Sequence, residues 1–176
     1  MTQTNSPRFY CDAMLGRLAR ELRLLGLDTA YDRLKGGLTA YRAARAEDRI
    51  FLTRNSRTRT LPGSFFVESQ NPVEQLEQVR ARFGITAAVR RRPLRRTTRP
   101  ARGGNRCIEC NEPLRRISRD QARPAIPFYI FQIHHEFHCC PKCGRVYWPG
   151  SHLKNIEARL ANPPARTRRQ SDNERR

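Results

Sequence analysis

Apolar positions in the first half of the chain change their period in a regular way. RFYC, residues 8–11, reads as a short strand, and Asp12 then leads into DAMLGRLARELRLLG. There Leu15, Leu18, Ala19, Leu22 and Leu25 fall on one face of a 3.6-residue repeat, which predicts an amphipathic helix. Gly26 is placed to end it by taking the left-handed conformation. Residues 28–31 suit a second strand and 38–47 an Ala- and Arg-rich helix; RIFLT, residues 49–53, is the clearest strand. A further strand is expected over 65–68, and a helix over 72–83 opened by Pro72 in its first turn. This alternation predicts an α/β fold, a mostly parallel sheet flanked by helices, with ligands bound beyond the carboxyl ends of the strands.

Composition adds a partner class. The 176 residues carry 35 Lys and Arg against 16 Asp and Glu, a formal charge of +19 and a pI near 11.2. Only Lys35, Lys142 and Lys154 are lysines, so arginine dominates. Arginine suits bidentate phosphate contact and stacking on bases, although a GC-rich genome also raises it. The net charge points to nucleic acid. With 38% hydrophobic residues and a mean hydropathy of -0.78, a modest core forms beside much solvated chain. The longest apolar stretch, 125–131, contains a proline and is far shorter than a membrane span needs. MTQTNSPRFY has neither a basic nor an apolar leader region, so a cytoplasmic location and no membrane partner are expected.

The charge also divides the chain. Residues 1–85 have 14 basic and 9 acidic side chains, residues 86–106 have 8 and 0, and residues 107–176 have 13 and 7. The middle stretch has no acid, two prolines and a Gly-Gly, and reads as a basic disordered linker. The expected organisation is an α/β domain over 1–85, this linker over 86–106, a metal-held module over 107–153 and a basic, disordered tail over 154–176.

The metal module rests on two Cys-x-x-Cys pairs, Cys107 with Cys110 and Cys140 with Cys143. Two such knuckles suit tetrahedral zinc, and Gly144 stands where the second must turn back. Disulfides are disfavoured in a reducing compartment. Cys139, His134, His135 and His138 are neighbouring alternative ligands. Cys140 is preferred for its spacing to Cys143, and the histidines are expected on an exposed, solvated strand. Cys11 reads as a buried small hydrophobe.

FYCDAMLGRLARELRLLGLDTAY, RIFLTRN, RCIECNEPL and CCPKCGRVYWPGSH together resemble the Mut-seven C-terminal ribonuclease domain family, over roughly residues 8–152 and in the family's order. The resemblance implies a PIN-like nuclease domain followed by a zinc ribbon, with RNA cut by carboxylates holding Mg²⁺ or Mn²⁺. On this chain it implies a catalytic site at Asp12 and Asn55, and Asp32 is a nearby acid that could swing in from its loop. Asp12 ends the first strand and also suits a helix N-cap. Two positions depart from the pattern. Asn55 stands where the family has aspartate, and Lys35-Gly36-Gly37-Leu38-Thr39 holds no carboxylate. A neutral amide weakens metal coordination, and Glu47 and Asp48 precede RIFLT at its opposite end. Two functions follow: a metal-dependent endoribonuclease with a depleted acidic site, or a catalytically weak or inactive module, with a structural zinc, that binds RNA or a ribosome.

For RNA contact the candidates are Arg17 and Arg54 near the expected site, and Arg145, Tyr147, Trp148 and His152 in the ribbon. Aromatics beside arginine can stack on unpaired bases. Arg20 and Arg23 are expected as solvated surface, and Trp148 as a wedge between ribbon and main domain.

Overall fold

The computed structural model of the protein describes residues 6–85 and 106–149. The linker before Arg106, the tail and His152 lie outside the described residues. β1 (Phe9–Cys11) is buried throughout, as a central strand of a parallel sheet must be. Two strands pair with it in parallel, β2 (Thr29–Tyr31) and β3 (Ile50–Thr53), placing Cys11 opposite Tyr31 on one side and Leu52 on the other. β4 (Ser64–Phe66) adds beyond β3, also parallel, and the order is β2-β1-β3-β4. The fold is the α/β parallel sheet that the alternating periods predict.

Period-two alternation sorts the strand residues between two helical layers. Phe9, Cys11 and Leu52 join the larger core, with Leu18, Ala19 and Leu22 of α1 (Gly16–Leu24) and Leu76 and Val79 of α3 (Pro72–Phe83). Tyr10 and Phe51 pack on the opposite face against Ala40 and Ala44 of α2 (Gly37–Ala46). Those alanines stand one turn apart, so α2 meets the sheet through small side chains. Gly26, at φ 81°, closes α1 as expected, with its N-H donating to Arg23 O and the next N-H to Leu22 O. The first turn differs from the expected helix: Ala13–Leu15 is a 3-10 turn, because Asp12 caps it directly at Ala13 N.

The order 2-1-3-4 means that the chain leaves β1 toward β2 and then crosses over to β3 on β1's other side. In open α/β sheets such a reversal, at the carboxyl ends of β1 and β3, is the usual ligand position. Asp12 follows β1, and Thr53 ends β3.

The second unit is an antiparallel sheet of β5 (Arg115–Ile117), β6 (Phe137–Cys139) and β7 (Val146–Tyr147). Ile117 pairs with Phe137, so residues 118–136 form an excursion between neighbouring strands. It contains α4 (Arg119–Ala122), opened by a Ser118/Gln121 capping box, and α5 (Phe128–Ile133). Ala122, Ile126, Ile130 and Phe137 give this unit a core of its own, on which Trp148 packs. Trp148 therefore supports the ribbon from within, rather than wedging it against the main domain. The histidines also differ from expectation, because His138 is buried at 6% exposure in β6. Burial pulls its pKa below the usual histidine range.

Candidate functional site

Asp12 lies at this reversal, just after β1, and is only 1% exposed. Its Oδ1 accepts from Ala13 N at 2.8 Å and Gly37 N at 3.0 Å, and its Oδ2 from the Thr53 hydroxyl at 2.7 Å. A burial this deep leaves a carboxylate dependent on such donors. Thr53 Oγ1 in turn accepts from Asn55 N at 2.9 Å and lies 3.1 Å from Thr58 Oγ1. Asp12 thus ties together the segments that follow β1, β2 and β3. Gly37 permits this by a left-handed φ of 57°, and a Cβ there would also meet Asn55 Nδ2 at 3.4 Å. Asn55 therefore shares the space around Asp12.

The other two expected catalytic residues are engaged locally. Asn55 Oδ1 accepts from Arg57 N at 3.0 Å, capping the 3-10 turn Ser56–Thr58. Asp32 follows β2, one step beyond the Cys11 and Tyr31 pair, at the level of Asp12. Its Oδ1 accepts from Leu34 N at 2.9 Å and its Oδ2 lies 3.5 Å from Lys35 Nζ. A divalent cation needs several outward oxygens at once. Here the oxygens of the three candidates face protein donors, an arrangement that fits a structural latch better than a cation cradle. Glu68, just past β4, is an exposed carboxylate at the same sheet edge that the motif reading did not include. Glu47 sits at the amino edge, paired with Arg49.

The four sulfurs of Cys107, Cys110, Cys140 and Cys143 all lie within 4.8 Å of one another. Tetrahedral coordination with 2.3 Å bonds separates sulfurs by about 3.8 Å, whereas a disulfide needs about 2.05 Å. Cys107 and Cys143 Sγ are 3.8 Å apart, and all six cysteines are free. The cluster fits a metal ion such as zinc. Each knuckle closes alike: Asn111 N donates to Cys107 O and Gly144 N to Cys140 O, both at 2.9 Å. Asn111 takes φ 64° where Gly144 takes 72°. Burial works against the Cys107 thiolate, yet hydrogen bonds from Tyr147 and backbone N-H groups hold its pKa down at about 7. Cys139 turns its sulfur to Cys140 O and Gly144 O, outside the cluster.

Asn111 has a second task that the cysteine spacing hides. Its Oδ1 accepts from Thr29 N at 3.0 Å and its Nδ2 donates to Asp28 Oδ1 at 2.7 Å. Arg23, expected on the surface, is 4% exposed; it donates to Thr29 O at 2.8 Å and to Ile108 O and Glu109 O at 2.7 and 3.0 Å. The outward N-H and C=O of Thr29 on edge strand β2 are therefore both paired, which removes a template for adventitious pairing. Asp28 also meets Arg49, Arg106 and Arg8. Desolvation raises its pKa, but the bonds from Arg49 and Asn111 outweigh this and hold the carboxyl below the usual range. CxxCN beside CxxCG was the available signal for Asn111, since asparagine tolerates the left-handed region.

The proposed RNA contacts are scattered. Arg17 is exposed and lies 3.9 Å from Glu21 Oε1, and Arg54 is half-buried with its Nε unpartnered. Arg145 shares Glu109 with Arg20, each 3.3 Å away. The Tyr147 hydroxyl lies 3.1 Å from Cys107 Sγ, Trp148 packs on the ribbon core, and both residues are half-buried. No helix of the described residues is long and apolar enough to cross a membrane.

The family model described as the Mut7-C RNAse domain matches residues 7–160. No curated protein and no solved structure matches the chain.

Proposed function

From the premise that this chain belongs to the Mut7-C RNAse domain family, we propose that it acts as an RNA-binding protein on a ribonuclease fold, with weak or absent turnover. The observation that carries this reading is the state of Asp12, buried and hydrogen-bonded through both oxygens. It works as an anchor that joins Ala13, the start of α2 at Gly37 and the end of β3 at Thr53. A structural zinc on Cys107, Cys110, Cys140 and Cys143 holds the ribbon, in a reducing compartment such as the cytoplasm. The net charge of +19 supplies the attraction to phosphate.

The test is the affinity of full-length, zinc-loaded protein for labelled single-stranded RNA across a salt series. Binding that weakens steeply with salt supports the reading; binding absent at low salt, or insensitive to salt, overturns it.

A second reading is the metal-dependent endoribonuclease with Asp12, Asn55 and Asp32 as its ligands. It is favoured by the pairing of Cys11 with Tyr31, the residues just before Asp12 and Asp32, and by the Asn55 amide standing beside Gly37. Mn²⁺-dependent products that vanish in Asp12→Asn select it.

A further inference from the structure

Residues 118–136 are far more than strands β5 and β6 need to connect, since antiparallel neighbours can be joined by a two-residue turn. α5 turns Ile130 into the ribbon core and leaves Phe128, Tyr129 and Ile133 exposed at 67%, 62% and 63%. Among the described residues, Phe128 and Tyr129 carry the exposed aromatic rings. Adjacent exposed rings on one short helix mark an interaction surface.

Its electrostatic surroundings select the partner. The Arg119 guanidinium lies 4.4 Å from the Phe131 ring centroid and that of Arg123 lies 5.8 Å from it. Arg119 is held further by donating to Phe131 O at 2.7 Å and by its contact with His135 Nδ1. Arg115 and Arg116 are exposed on β5, and residues 115–136 hold four arginines against two acids, Asp120 and Glu136. Apolar rings set among cations complement a polyanion that carries flat apolar faces. An apolar or acidic protein groove would meet only half of this surface.

We propose that the exposed Phe128 and Tyr129 of α5, on the excursion that also carries Arg119 and Arg123 against Phe131, form a binding site for unpaired bases of single-stranded RNA. The rings stack on bases and the guanidinium groups meet phosphates, a mode tolerant of sequence. Duplex RNA hides its base faces and binds this surface more weakly. The inference rests on the RNA-binding reading above, and places the aromatic contact on α5 rather than on Tyr147 and Trp148.

The experiment compares zinc-loaded wild type with the double variant Phe128→Ala, Tyr129→Ala, using a labelled single-stranded oligouridine and an RNA duplex as probes. Both rings are exposed, so zinc content and Trp148 emission are expected to match wild type. Single-strand affinity is expected to fall roughly tenfold with the salt slope unchanged, because no cation is removed. Ultraviolet crosslinks to the oligouridine are expected on Phe128 or Tyr129. Wild type that binds RNA while the variant binds equally well, or with crosslinks confined elsewhere, overturns this inference and leaves the broader reading standing. Wild type that binds neither probe overturns both. Equal RNA affinity with self-association lost in the variant assigns the face to a second copy of the chain and overturns the proposal.

Discussion

The Thr53 hydroxyl donates to Asp12 Oδ2 at 2.7 Å, across the junction of β1 and β3 where the sheet reverses its winding. The same oxygen of Thr53 accepts from Asn55 N, so a single side chain supports both the buried carboxylate and the loop after β3. Thr53→Val keeps the shape and removes both bonds. It is expected to lower unfolding free energy by about 1–3 kcal/mol, the cost of leaving buried polar groups unpaired. Urea unfolding measures this, and an unchanged midpoint contradicts the latch.

Asn111 joins the first knuckle to the edge of the sheet, and its two tasks can be separated. Asn111→Gly keeps the left-handed turn at φ 64° but deletes the bonds to Thr29 and Asp28. Zinc content is expected to persist while hydrogen exchange at the Thr29 amide accelerates. Exchange at the wild-type rate shows that the ribbon does not protect this strand.

Asp28 gives the docking a pH dependence of known sign. Its carboxyl is held below the usual range in the folded protein, where the bonds from Arg49 and Asn111 outweigh desolvation. A depressed folded pKa contributes stability that is fully present above the unfolded value of about 3.9 and is lost as pH falls toward the folded value. The stability gap between wild type and Asp28→Asn is therefore expected to be widest above about pH 5 and to narrow below about pH 3.9. Denaturation curves across that range check the trend, and a gap that widens on acidification contradicts it.

Zinc removal has a built-in reporter. Trp148 is the single tryptophan, and it packs on Ile126, Ile130 and Phe137 beside β7. About one equivalent of zinc per chain is expected, and its removal by a strong chelator should shift Trp148 emission to the red as the ribbon loosens. Less than about half an equivalent in purified protein, or emission unmoved by chelation, contradicts a structural metal.

These tests fall on features of unequal visibility in the sequence. The parallel sheet was legible because β1 and β3 are short apolar runs beside helices of clear period, and the four-cysteine cluster because the spacing within each pair is local. Arg23 was not. A charged residue at helical spacing reads as solvated, and only the folded chain brings it Ile108 and Glu109 as acceptors. Asn55 was visible as a lost charge, but the Gly37 turn that places it beside Asp12 depends on a positive φ that many glycines never adopt. α5 was hidden for another reason: residues 125–131 contain Pro127, and a run this short follows neither strand nor helix period decisively.

The most direct test of the central claim is product analysis of labelled single-stranded RNA incubated with Mn²⁺ and either wild type or Asp12→Asn, each checked for zinc content and RNA binding. An anchoring role for Asp12 predicts that both proteins bind the RNA and yield the same trace or absence of products. Cleavage by wild type that disappears in a folded, RNA-binding Asp12→Asn protein would contradict it.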